Sequence, residues 1–212
     1  MRRLSAVLVL GLMMVLMVPK AMAHPHAWVD VKSTVVFDDS GNVIALDLDW
    51  LFDAFYTVFV LEDITAAGDP PQQALLDLAA QNLKNLHEYN YFLEVLTHGA
   101  RWDTGAVDTY ETNLVGDRLR MAFRVPLAAP LNAKTDAVSF KIYDPTYYIE
   151  MVHVEENPVA FDGAPLGACS AVVVEPSPDE EAVTFAAMLD QSQTGPNDLG
   201  RLFAQTVQVR CQ

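Results

Sequence analysis

Apolar and polar side chains alternate with a period of two along residues 29–37 and again along residues 44–52. This period is typical of strands that bury one face. Between the two runs, Asp38-Asp39-Ser40-Gly41-Asn42 is a cluster of turn-forming residues. The pattern therefore predicts an antiparallel hairpin near the amino-terminal end of the folded chain.

Longer spacings of apolar residues predict helices. Asp53 is placed to cap a helix over residues 54–63, and the β-branched and aromatic content of that segment indicates a buried helix. Leucines and alanines recur at intervals of three and four over residues 71–88, which predicts an amphipathic helix. A third helix is expected over residues 178–189, and a last helical turn ends at Phe203.

The remaining apolar segments predict short strands separated by turns. Asp144-Pro145-Thr146 is a corner between two of them, and Ala160–Pro165 is expected to be a loop. About nine strands, mostly antiparallel because their connections are short, and three or four helices predict an α+β fold, a sheet or sandwich with helices packed against it. The strands expected after the first hairpin are 91–97, 107–114, 118–126, 138–143, 148–154, 169–174 and 206–211.

Residues 1–23 have the layout of a signal peptide. Arg2 and Arg3 precede an uncharged apolar run from Leu4 to Val18, and Ala21-Met22-Ala23 is a cleavage pattern of small residues. The run is shorter than the roughly 20 residues that span a bilayer, and no later segment is apolar and uncharged for that length. We therefore expect a periplasmic mature protein, residues 24–212, that forms a single α+β domain and does not span the membrane. An uncleaved membrane anchor is the alternative.

The chain is strongly acidic. Taking the basic Arg2, Arg3 and Lys20 of the signal away from the formal net charge of −15 leaves −18 for the mature chain. This charge argues against nucleic acid or an anionic membrane as a partner, since both are negatively charged. Asp47 and Asp49 share one strand face and, with Asp53, make an acidic edge, which we interpret as a solvated face, with weak attraction of cations as the alternative.

Cys169 and Cys211 are the two cysteines of the sequence. In an oxidising compartment they are expected to form one disulfide. Closing a loop of about 40 residues contributes roughly 4 kcal/mol of stability, as an upper figure, in the chain-entropy description. The bond would also withdraw both thiolates from the set of metal ligands, so any metal site must use nitrogen and oxygen.

The first residues of the mature chain have the chemistry of a metal site. Cleavage after Ala23 makes His24 residue one, so that its α-amine and imidazole can chelate one metal ion, with His26 as a second imidazole. Neutral imidazole suits Zn, Cu and Ni. Pro25 has no N–H and therefore blocks the mode in which deprotonated backbone amides wrap Cu or Ni. An exposed terminus whose histidines bind no metal is the competing interpretation.

Asp53 and Asp144 are lower-ranked candidate metal ligands. Asp53 is more simply a helix cap and Asp144 a turn initiator, although either carboxylate could reach the histidine site. Tyr147 or Tyr148, beside that corner, could hydrogen-bond a metal ligand. His153 lies among apolar strand residues, so we expect a satisfied core or edge histidine there rather than a ligand.

The sequence lacks the motifs of common enzyme classes. It contains no H-E-x-x-H, no G-x-S-x-G, no Gly-rich phosphate loop and no cysteine left over as a nucleophile. We therefore expect a protein that is not an enzyme. A copper histidine-brace redox enzyme is the catalytic alternative, because an amino-terminal histidine can support that chemistry.

Four motifs together resemble a known family. They are His24-Pro25-His26-Ala27-Trp28-Val29-Asp30, Trp50-Leu51-Phe52-Asp53, Tyr91-Phe92 and Asp144-Pro145-Thr146-Tyr147-Tyr148. Over essentially the whole mature chain, the sequence resembles the bacterial family of domain of unknown function 1007. The resemblance implies an exported protein of a transport system, of a kind often encoded beside nickel/cobalt permeases of the NicO type.

This resemblance implies a periplasmic accessory protein that binds a divalent transition metal for an inner-membrane permease. Nickel or cobalt is the expected ion, with zinc or copper as the other choices. The alternative within the same setting is a structural or interaction subunit of an exported transport complex that binds no metal.

Overall fold

The computed structural model describes residues 25–67, 71–163, 168–190, 193–196 and 198–212. The predicted signal peptide, residues 1–23, and His24 lie outside these ranges. Within them the chain forms eleven β-strands, four α-helices and one 3-10 helix, His87–Phe92. The strands are β1 (Ala27–Phe37), β2 (Asn42–Phe52), β3 (Leu93–Thr97), β4 (Ala100–Trp102), β5 (Tyr110–Val115), β6 (Arg118–Asn132), β7 (Val138–Ile142), β8 (Ile149–His153), β9 (Val159–Asp162), β10 (Cys169–Val174) and β11 (Thr206–Cys211). The α-helices are α1 (Ala54–Ala67), α2 (Pro71–Leu86), α3 (Glu180–Met188) and α4 (Leu199–Phe203).

The strands form two sheets. The first has the order β5-β6-β2-β1-β8, with β9 also paired to β1, and the second has the order β10-β11-β7-β3-β4. β1 and β2 form the predicted antiparallel hairpin, in which Val29 lies opposite Phe52. β8 and β9 pair with β1 in parallel. The fold is therefore α+β and mostly antiparallel, as the sequence predicted.

One apolar core joins the two sheets and the helices α1 and α2. Val31 in the first sheet and Phe140 in the second are fully buried. The indole of Trp50 meets the ring of Phe123 edge-on, with centroids 4.8 Å apart. Burying one such side chain stabilises the fold by roughly 1.5–3 kcal/mol. No helix in the described ranges is long and apolar enough to cross a membrane.

Helix α1 is more exposed than its composition predicted. Phe55, Val58 and Phe59 face solvent, with 70% of Phe55 and 53% of Phe59 exposed. The Phe55 and Phe59 rings pack edge-on with centroids 4.9 Å apart. The prediction of a buried helix is wrong for this face, because α1 buries only the stripe that carries Thr57 and Ile64.

Two segments depart from the predicted strand pattern. Residues 159–162, expected to be mostly loop, form β9 because they pair with the distant β1, a partner that local sequence does not reveal. The segment expected to begin a strand is a turn, in which Asn90, Tyr91 and Phe92 have φ of 54°, 56° and 57°. Left-handed backbone costs L-residues roughly 1–2 kcal/mol each. The Asn90 amide offsets part of this by donating to the Leu93 carbonyl.

The acidic edge expected on β2 is an ion-paired surface. Asp47 accepts two hydrogen bonds from Arg124, at 2.6 and 2.7 Å, and Asp49 accepts two from Arg120, at 2.8 and 2.9 Å. β6 lies beside β2 with Arg124 opposite Asp47, so each carboxylate faces a guanidinium fork. The side chains of Asp47 and Asp49 remain 35% and 36% exposed, so the face is solvated as expected, and the arginine partners are what the sequence did not predict.

The predicted disulfide joins Cys169 to Cys211. The two residues are cross-strand partners at the outer ends of β10 and β11. The bond therefore fixes both ends of the segment that contains α3 and α4 to the second sheet.

His153 is the buried core histidine that the sequence predicted, with 7% of the residue exposed. Its Nε2 lies 3.0 Å from Ser33 Oγ, and its Nδ1 lies 3.3 Å from Gln205 Oε1. Gln205 donates in turn to the Glu175 carboxylate at 2.7 Å. Burial lowers the pKa of His153 below its ordinary 6.5, and the Gln205 hydrogen bond and the Glu175 charge oppose this only in part.

We expect the free energy of unfolding to decrease as the pH falls from 6.5 through the lower pKa of folded His153. The unfolded chain binds the proton first, so the stabilisation is fully present above the unfolded pKa and is lost below it. Urea unfolding over a pH series measures this. His153→Gln should remove that component of the pH slope, and the exposed His87→Gln should keep it. Identical slopes for the wild type and His153→Gln would contradict the assignment.

Candidate functional site

The corner between β7 and β8 is built around the carboxylate of Asp144, a residue that is 5% exposed. Its Oδ1 accepts hydrogen bonds from the Thr146 N–H and hydroxyl, both at 2.9 Å. Its Oδ2 accepts from the N–H groups of Tyr148 and Ile149, both at 3.0 Å. These donors engage both carboxylate oxygens and fix the backbone of the corner, which is the turn-initiating role expected for Asp144.

The corner in turn fixes His26. The His26 N–H donates to the Tyr148 carbonyl at 2.9 Å, one step before the parallel pairing of β1 with β8. The His26 and Tyr148 rings contact each other, with centroids 4.9 Å apart. The position of this half-buried histidine is therefore set by Asp144 through Tyr148.

Asp53 caps α1, as its position predicted. Its Oδ1 accepts from the Tyr56 N–H at 2.8 Å, and its Oδ2 accepts from the Trp28 N–H at 3.0 Å. The Asp53 N–H donates to the Trp28 carbonyl at 2.9 Å. Burial and the Asp53 charge raise the pKa of Tyr56. Asp53 therefore ties the start of α1 to β1, two residues beyond His26.

The candidate residues are all linked to the start of β1, but their side chains have different roles. In the described ranges, no three His, Cys, Asp or Glu side chains form a group that could hold a metal ion. Asp53 and Asp144 direct their oxygens at backbone N–H groups and so support the strand. The imidazole nearest this end of β1 within the described ranges is that of His26.

Sequence reasoning missed the glycine behind the corner. The Gly200 N–H donates to the Pro145 carbonyl at 3.1 Å. A Cβ at Gly200 would lie 1.9 Å from the Asp144 carbonyl oxygen, so only glycine permits this approach. The contact joins α4 to the corner across a long stretch of chain, and no local pattern could have identified it.

Tyr147 completes the corner on the side of α4. Its ring stacks on Phe203, with centroids 4.2 Å apart. Burial, followed by the charge and hydrogen bond of Glu150, raises the pKa of Tyr147 to about 12. The hydroxyl therefore keeps its proton at neutral pH, and Tyr147 acts as a packing residue and hydrogen-bond donor.

The fold and this end of β1 define a disulfide-bonded, two-sheet α+β protein in which an anchored histidine, His26, immediately precedes the first strand. The chain belongs to the protein family of unknown function DUF1007, whose sequence profile matches residues 9–211. It is 30% identical over 193 residues to an uncharacterized protein of Haemophilus influenzae. The aligned segment covers 90% of this chain and 92% of that protein. It is also 30% identical over 99 residues to an uncharacterized 15.5 kDa protein of Spirochaeta aurantia, covering 46% of this chain and 69% of that protein.

Asp144→Asn should lower the free energy of unfolding by about 3 kcal/mol, because an amide nitrogen would replace an acceptor among buried N–H donors. The matched Asp53→Asn should cost about 1 kcal/mol, since asparagine also caps helices well and Asp53 is less buried. Urea unfolding at neutral pH measures both losses. If the two variants were equally destabilised, the special role given to the Asp144 carboxylate would be wrong.

Proposed function

We propose that the protein is a periplasmic accessory protein that binds a divalent transition-metal ion at its amino terminus and presents it to an inner-membrane permease. Nickel or cobalt is the proposed cargo, and zinc and copper are the other ions that imidazole suits. The observation that carries this proposal is the anchoring of His26 by the Tyr148 carbonyl and ring. That anchoring holds an imidazole two residues from His24.

In this proposal the ligands are nitrogen atoms. His24 supplies its α-amine and imidazole, and His26 supplies a second imidazole. Asp53 and Asp144 are occupied by backbone donors, so they orient the histidines by holding Trp28 and Tyr148. A site of three protein ligands keeps a coordination position open, which suits transfer of an ion better than a closed structural site.

The disulfide supports the proposed location. A bond between Cys169 and Cys211 persists in an oxidising compartment and is rare in cytosolic proteins. Residues 1–23 are proposed to direct export as a cleaved signal peptide. Binding and transfer of the ion need no catalysed reaction, so the protein is proposed not to be an enzyme.

The exposed face of α1 supports the proposal of a protein partner. Phe55, Val58 and Phe59 form an apolar patch there, and such patches mark interaction sites. α1 begins at Asp53, which is bonded to Trp28, so the patch adjoins the end of β1 that carries the histidines. We propose that the permease covers this patch while it receives the ion.

Isothermal titration of exported protein that begins at His24, with Ni²⁺, Co²⁺, Zn²⁺ or Cu²⁺, should show saturable binding. His24→Ala and His26→Ala should each weaken the affinity at least tenfold, because losing a group that only orients a ligand already costs about 10- to 100-fold. One extra residue ahead of His24 should weaken it similarly, because the α-amine then leaves the chelate.

His87→Ala is the matched control, since His87 is an exposed histidine remote in sequence from this end. It should leave the affinity unchanged. Absence of binding at micromolar metal, or equal losses in His26→Ala and His87→Ala, would overturn the metal proposal.

A photo-crosslinking residue in place of Phe59 should join the protein to the permease in cells that make both, because Phe59 lies in the exposed α1 patch. The same residue in place of the exposed Val115 on β5 should not. The Phe59 variant should retain its metal affinity in titration. Equal crosslinking from both positions would contradict docking through α1.

A further inference from the structure

A second candidate site, independent of the amino-terminal histidines, is a cleft of about 470 Å³ beside the 3-10 helix, the β3–β4 hairpin and the end of β7. Its walls include the aromatic side chains of Tyr89, Phe92, Trp102 and Tyr143. Tyr89 is 53% exposed, and its ring lies 6.2 Å from that of Phe92. A cleft of this size with aromatic walls suits a small molecule.

The turn that carries the aromatic residues of this wall has an unfavourable backbone conformation, which side-chain hydrogen bonds hold in place. The backbone at Asn90, Tyr91 and Phe92 has the left-handed conformation, with positive φ at each residue. The Thr104 hydroxyl donates to the Asn90 side chain, and the Val107 N–H donates to the Tyr91 hydroxyl at 3.0 Å. Strain of this kind persists only where the surroundings impose it, and it clusters at ligand-binding sites. Here the strained turn forms one wall of the cleft.

The guanidinium group of Arg101, in the cleft wall, is paired with the buried carboxylate of Glu94. Glu94 lies in the cleft wall, and the Nε atoms of Arg101 and Arg201 lie 2.8 and 2.9 Å from its two carboxylate oxygens. Asp198 lies 4.0 Å from Arg101. Arg101 lines the cleft together with Glu94 and Asp198, whereas Arg201 and Lys141, which also neighbour Glu94, lie outside the lining.

The other charged side chains of the cleft are acids. Glu88 and Asp103 are exposed on its lining and add two negative charges to those of Glu94 and Asp198, against the single guanidinium of Arg101 on the lining. We infer that the cleft binds a small organic cation, with an ammonium or guanidinium head over the aromatic faces and beside the Glu88 and Asp103 carboxylates. Aromatic faces attract cations, and the negative charge of the rim excludes anions.

The test uses the exported protein and two probes of nearly the same shape. Choline carries a quaternary ammonium, and 3,3-dimethylbutan-1-ol is its neutral carbon analogue. Trp102 lines the cleft, and its indole N–H, which donates to the Ala129 carbonyl at 2.9 Å, gives a nuclear magnetic resonance signal that reports on this wall. Choline should shift this signal in a saturable way, and the neutral analogue should bind at least about fivefold more weakly.

Variants locate the binding. Tyr89→Ala and Asp103→Asn should each weaken choline binding about fivefold, by removing an aromatic face or a charge. Tyr110→Ala, an exposed aromatic on β5 outside this cleft, should leave it unchanged, and all three variants should melt as the wild type does. No saturable shift, equal binding of the neutral analogue, or an equal effect of Tyr110→Ala would overturn the inference.

Discussion

The hydrogen bonds of the Asp144 carboxylate hold together segments that lie far apart in the sequence. A buried charge is tolerated only when hydrogen-bond donors surround it, and here the donors are three backbone N–H groups and a hydroxyl of the corner that follows it. The fixed corner then offers its carbonyl groups outward. One accepts His26 at the start of β1, and another accepts Gly200 in α4. One side chain thereby couples the amino-terminal strand, the β7–β8 connection and the carboxyl-terminal helix.

Features decided by neighbouring residues could be predicted from the sequence. The β1–β2 hairpin follows from alternation and a turn cluster, α2 follows from its apolar stripe, and the disulfide follows from a count of two cysteines. Features decided by distant partners could not. β9 is a strand only because β1 lies beside it, and α1 exposes phenylalanines because neighbouring elements cover just one of its stripes.

In the candidate site, too, local roles could be predicted from the sequence and distant partners could not. From residue type and position alone, Asp53 was predicted to cap a helix and Asp144 to initiate a turn. The structure confirms both assignments. The second partner of Asp53 could not be predicted from local sequence, because it depends on the register between strands. The Trp28 N–H reaches Asp53 across the β1–β2 ladder, and the arginine partners of Asp47 and Asp49 face them across β2 and β6.

The strands on the two sides of β1 lie far apart in the sequence, so we expect their pairings with β1 to form at different times. Its β2 neighbour follows after one turn, whereas Ser33 meets His153 across a separation of 120 residues. Contacts between distant segments form late, because the intervening chain must first be brought together. A growing chain can therefore form the β1–β2 hairpin while His26 is still unanchored. In the proposed metal-binding role, an ion that depends on this anchor would therefore be loaded only after β8 has joined β1.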